Sequence, residues 1–235
     1  MIAKWECSVK NLEQHPVDVF PALLHWDDLW PYSASSFSNG WSEQVNPGVT
    51  LLLDETGDEA AQWLAVITGF AKPVRGRVAC AGLDSQTDIQ AYQAQVFWHN
   101  PRAPLQDKEI SAAQWIHAMA QRWPAWDEVQ WQAHCDGFGL TPHMDKPLWH
   151  LSTGCLRKLG IAAALASGAR LTVIEEPIAA LDGDSIRYLC QALDTLGESV
   201  AEHPDNPRWV LVAHWEPLPS VTWDEVLVAP SLASA

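Results

Sequence analysis

The feature that most constrains this chain is an apolar run, Leu171-Thr172-Val173-Ile174, that stops abruptly at Glu175-Glu176-Pro177. A run without polar alternation is buried on both faces, the condition of a central strand in a parallel sheet. Two further runs of this kind stand at residues 49–53 and 209–212, and a shorter one at 226–228. Between them the spacing is helical. Residues 59–68 place Leu64 and Ile67 on one face, with Gly69 suited to end the helix. Residues 152–167 are rich in Ala and Leu and open at Ser152, a good N-cap, and residues 185–196 are amphipathic. Strands alternating with helices predict an α/β protein whose parallel or mixed sheet is covered by helices. Short strands are expected at 77–80 and 95–98. A helical insertion is expected at about 102–150, where Ala112, Trp115, Ile116 and Met119 fall at helical spacing and Trp123-Pro124 breaks the run. Residues 1–45 read as irregular, with one strand near residues 5–9, an aromatic stretch through Tyr32 and Ser-rich turn residues at 33–39. There is no internal repeat.

Charge excludes some functions. With 14 basic against 29 acidic residues the chain carries −15, which argues against nucleic-acid binding and against a basic membrane-binding face. The five cysteines form no CxxC pair and read as reduced packing residues of a cytosolic protein. The first six residues show no leader pattern, and no window approaches the ~18 apolar residues of a spanning helix, so a soluble protein without membrane insertion is expected. The fourteen tryptophans follow no single period and read as packing residues rather than a dedicated partner surface.

Residues 151–182, LSTGCLRKLGIAAALASGARLTVIEEPIAALD, resemble the signature-to-Walker-B region of ATP-binding cassette (ABC) ATPases. There the pattern LSGGQ is followed by a helix, four apolar residues, Asp-Glu-Pro and a loop ending in Ala-Leu-Asp. Residues 46–82 are similar to the family's strand, phosphate loop, helix and Gly-Arg-Val turn. Residues 210–217, VLVAHWEP, resemble its switch-histidine strand, and residues 222–228 the strand after it. The resemblance covers most of residues 46–230. It implies a P-loop NTPase-like ABC ATPase fold in a single domain over 1–235. The core-like parts would be 1–101 and 151–235, and the helical subdomain about 102–150.

The resemblance also assigns roles. Glu176 matches the catalytic glutamate that polarises the attacking water, and a carboxylate at the end of a buried strand is well placed for that. Glu175 stands where the Mg²⁺-organising aspartate is expected, one methylene longer. His214 matches the switch histidine. Ser152 and Gly154 hold positions where a hydroxyl and a close backbone meet a nucleotide phosphate at the positive end of a helix, while Thr153 and Cys155 depart from the usual Gly and Gln. His99 or Asn100 occupies the place of the glutamine loop. An adenine-stacking aromatic falls near Trp30 or Tyr32.

The phosphate loop breaks the pattern. GxxxxGK[ST] works because glycines let backbone N–H groups wrap phosphates, lysine neutralises them and Ser/Thr holds Mg²⁺. Here residues 54–61 read DETGDEAA: only Gly57 remains as glycine, with Ala60 and Ala61 in the lysine and hydroxyl positions. Asp54, Glu55, Asp58 and Glu59 would surround a polyphosphate with carboxylates, and like charges ~4 Å apart repel by ~4 kcal/mol near a surface. Ordinary ATP binding at this degenerate loop is expected to fail.

Family members work as head-to-tail dimers in which each nucleotide lies between one subunit's phosphate loop and the other's signature. The resemblance therefore implies a cassette subunit of a membrane transport complex, cytoplasmic and peripheral on the inner face of the cell membrane. It would pair with another ABC ATPase subunit, as hetero- or homodimer, and dock a membrane permease through residues 102–150. ATP and Mg²⁺ would bind at a composite site with that partner, or not at all in the isolated chain, which is expected to be inactive or weakly active. Two alternatives stand beside this: a divergent homodimeric ATPase using Glu176 and His214, and a non-catalytic scaffold.

Overall fold

The computed structural model describes residues 23–31, 40–54, 60–103, 107–218 and 220–230. The strand expected near residues 5–9, Tyr32, the Ser-rich turn at 33–39, Gly57, Glu55, Asp58 and Glu59 lie outside the described residues. In chain order the elements are β1 (Leu24–Trp30), β2 (Trp41–Val45), β3 (Gly48–Leu53), α1 (Ala60–Ile67), β4 (Arg75–Cys80), β5 (Leu83–Asp84), α2 (Ile89–Ala94) and β6 (Val96–His99). There follow α3 (Ala112–Arg122), α4 (Glu128–Gly137), α5 (Thr153–Ala166), β7 (Leu171–Glu175), α6 (Gly183–Glu202), β8 (Trp209–His214) and β9 (Glu225–Val228).

Five strands form a parallel sheet in the order β6-β7-β8-β3-β9. Every residue of β7 and of β8 is buried, which is why both read as unbroken apolar runs. A second, antiparallel sheet has the order β2-β1-β4-β5. Two of its strands correct the expectation that residues 1–45 are irregular. The pairing of β1 shifts register between Trp26 and Leu29, and Asp28 there has φ +50°, so a bulge breaks the alternation that would have marked the strand.

The core has two parts. One joins α3, α4, α5 and α6 to one face of the parallel sheet. The other packs α1 and the antiparallel sheet on the opposite face. Tryptophans bind that second part: Trp41 meets Trp26 and Trp63 edge-on at 4.8 and 5.0 Å between ring centres. The fully buried Trp209 donates its indole N–H to the Val45 carbonyl at 2.9 Å, tying β8 to the end of β2. Cys80, Cys135 and Cys190 are buried free thiols and Cys155 is half-buried.

Candidate functional site

Parallel strands bring all their C-terminal ends to one edge of the sheet, the edge where open α/β folds hold ligands. In this register Leu53 lies beside His214, Ala213 beside Glu175 and Ile174 beside His99. Asp54, which follows β3, therefore meets Glu175, Glu176 and His214 at one small cavity, with Ala60, Ala61 and Trp215 in its wall. Residues more than a hundred positions apart in the chain converge there.

Glu175 and Glu176 are each held by a cation from elsewhere. Glu175 is 2% exposed. Burial pushes its carboxyl above the usual range, Arg102 pulls it back, the neighbouring Glu176 pushes it up again, and the Trp98 indole approaches without full hydrogen-bond geometry. Arg102 Nη1 donates to Glu175 Oε1 and its Nη2 to Glu176 Oε1, so one guanidinium spans both carboxylates. From α5, Arg157 donates to the Glu176 carbonyl at 3.1 Å and lies 3.4 Å from its Oε2. Glu176 itself adopts φ +48°, a strained conformation for a residue with a side chain. Its N–H donates to the Ala213 carbonyl at 3.0 Å, so this turn is fixed from both sides.

His214 is 3% exposed and its Nδ1 lies 2.7 Å from the Glu216 carbonyl oxygen. The Glu216 N–H lies 3.3 Å from the same nitrogen, and Nε2 has no hydrogen-bond partner among the described residues. Trp215 follows, half-exposed, its ring 3.8 Å from that of His214.

At the start of α1 the buried Asp54 accepts the Ala60 N–H at 2.7 Å, placing a carboxylate on a helix N-terminus. The Ala60 and Ala61 side chains bring neither charge nor hydroxyl. The cavity between these groups measures about 20 Å³, room for about one water by the usual ~10–15 Å³ requirement. Among the described residues no group of three or more His, Cys, Asp or Glu is arranged to hold a metal ion. The described residues lining this cavity do not fit a Mg²⁺-triphosphate.

The signature positions lie elsewhere. Ser152 caps α5, its Oγ accepting the Cys155 N–H at 3.1 Å, and both Ser152 and Thr153 are exposed. Gly154 sits against the loop after β7: a Cβ there would come within 2.5 Å of the Ala180 carbonyl oxygen. His99 and Asn100 line a different cavity, of about 570 Å³, walled by Trp98, Trp115, Trp123 and Arg157. Burial, reinforced by Arg157, holds the His99 imidazole down to about 4. Trp30 lies on β1, with Arg75 stacked 4.8 Å from its ring centre. The groups that sequence reasoning missed are Arg102 and Arg157. Both are rare cations in an acidic chain, but their role exists only once β6, β7 and α5 are adjacent.

No family model matches the chain. It is 28% identical over 148 residues to the retinal-specific phospholipid-transporting ATPase ABCA4 of Bos taurus, covering 62% of this chain and only 6% of that protein's length. It is 26% identical over 175 residues to the cytochrome c biogenesis ATP-binding export protein CcmA of Pseudomonas aeruginosa, covering 74% of this chain and 83% of that one. A solved ATP-binding subunit of an ABC transporter shares the fold at a TM-score of 0.68 and 19% identity, over 81% of this chain and 78% of that one. Sequence relatives and fold neighbours are thus drawn alike from ATP-binding cassette proteins, and the chain has the fold of their ATP-binding domains.

Proposed function

We propose that the chain is a cassette subunit of a membrane transport complex that has lost its own nucleotide site and completes a partner's. The observation that carries this reading is an asymmetry. The sheet-edge site is filled by the chain's own side chains, whereas Ser152 and Thr153 stand exposed at the open N-terminus of the fourteen-residue helix α5. Amide N–H groups and the dipole at that end suit the phosphate of a nucleotide bound by another subunit. Gly154 keeps the turn compact by letting it lie against the Ala180 carbonyl. Among the described residues no helix is long and apolar enough to cross a membrane. Attachment at the cytoplasmic face would run through a permease docked against the region of α3 and α4.

Isothermal titration tests the first half: the isolated chain is expected to show no micromolar Mg-ATP binding, and such binding would overturn the reading. ATP turnover that appears only with a competent cassette partner, and falls at least tenfold with Ser152→Ala on this chain, tests the second half. A folded chain that captures no cassette partner would point instead to a scaffold.

A second reading, a divergent homodimeric ATPase, is favoured by one observation: Glu176 and His214 share the wall of a single cavity. Turnover by the pure chain, abolished by Glu176→Gln, would establish it.

A further inference from the structure

We infer that Arg102 is the resident cation of the Glu175–Glu176 pair, a side chain that takes the place a divalent ion would need and turns the sheet-edge site into a closed ion cluster. This rests on the reading that the chain's own nucleotide site is lost, and adds what replaced it.

Two adjacent carboxylates at the end of a buried strand repel, and the side chain of Glu175 is 3% exposed, so its charge has little water to lean on. Something positive must lie between them. In this chain the planar guanidinium of Arg102 does so, one N–H group directed at each acid. A guanidinium suits that position because its fork reaches two acceptors at once and stays charged at any ordinary pH. Arg157 engages the remaining oxygen of Glu176. The cluster thus sets two cations against Glu175, Glu176 and the nearby Asp54.

Space and donors agree with charge. A cavity of about 20 Å³ lined by Arg102 and both acids has no room for a hydrated divalent ion beside the arginine. The first N–H of α1, which would face an incoming anion, already donates to Asp54. Among the described residues the cation position and this amide are therefore both taken from within. Arg102 leaves β6 three residues after His99, so the cluster also fastens the segment leading toward α3 onto the end of β7.

The full chain, Arg102→Gln, Glu175→Gln/Glu176→Gln and the triple variant test this by thermal melting and by Mn²⁺ binding, read from the free Mn²⁺ resonance signal. Arg102→Gln is expected to lower the melting temperature clearly in the native background and little in the Glu175→Gln/Glu176→Gln background, because the arginine then has no acids to neutralise. Arg102→Gln is also expected to bind Mn²⁺ at least tenfold more tightly than the unaltered chain, with the gain lost in the triple variant. If Arg102→Gln alone does not fold, a folded triple variant carries the same coupling. An equal temperature loss in both backgrounds, or Mn²⁺ binding unchanged by Arg102→Gln, overturns the inference. Micromolar Mg-ATP binding by the unaltered chain would overturn the underlying reading as well. Absence of coupling in a chain that binds no ATP would overturn this inference alone.

Discussion

His134 is buried on α4, its Nδ1 2.9 Å from the Tyr188 hydroxyl, and burial holds its imidazole down to about 4. His99 is depressed to a similar value. Each is neutral when folded and has an ordinary value of 6.5 when exposed, so the unfolded chain takes up protons that the folded chain refuses. Their contribution is complete above about pH 6.5 and is lost as pH falls toward 4. For His134 the slope is up to ~1.4 kcal/mol per pH unit. Glu175 acts oppositely: with its folded value raised, its stabilising contribution is present below 4.5 and lost as pH rises through the raised value. Urea midpoints are expected to fall between pH 7 and pH 5, and His134→Gln to flatten that fall. A pH-independent midpoint would contradict it. At this scale the acids and the histidine stood out in the sequence because both end unbroken apolar runs. It concealed their partners. Arg102 and Glu175 are 73 positions apart and become neighbours only because β6 pairs with β7.

The N-terminus of α5 joins two roles in one side chain. Ser152 caps the helix, so Ser152→Ala should cost the isolated chain ~1 kcal/mol of stability, measured by urea unfolding. Ser152→Thr keeps the oxygen and should recover most of that loss. A partner-dependent defect that persists in Ser152→Thr would then be steric, not a matter of folding. Elements differ in how plainly they were written. The strands β3, β7 and β8 and the helix α5 were legible because burial leaves no polar interruption and Ser152 marks a start. β1 was not legible: LHWDDLW carries two aspartates, and the shift after Trp26 changes which side chains face inward. Short β5 has two residues and no periodicity to read.

Across the whole molecule, stability depends on two packed faces of one parallel sheet, and tryptophan packs on both of them. Trp63 is 3% exposed, meets Trp41 edge-on and donates to the Pro230 carbonyl at 3.1 Å. Trp63→Ala is expected to cost ~3–5 kcal/mol, read from denaturant unfolding. A loss under 1 kcal/mol would mean that this face packs less tightly than its contacts indicate. The packing reading of the tryptophans is thus specific: several join elements remote in sequence, as Trp209 joins β8 to Val45. Composition announced their number but could not say which strands they would join.

Trp215 is a departure from that burial, 49% exposed while its ring rests against His214. An indole at the lip of the sheet edge is an optical probe already installed. Its emission reports solvent contact, so any subunit that seats over this edge should shift the fluorescence to shorter wavelength. A Trp215→Phe chain bound to the same subunit should show no such shift. The protein can therefore report its own assembly without a label.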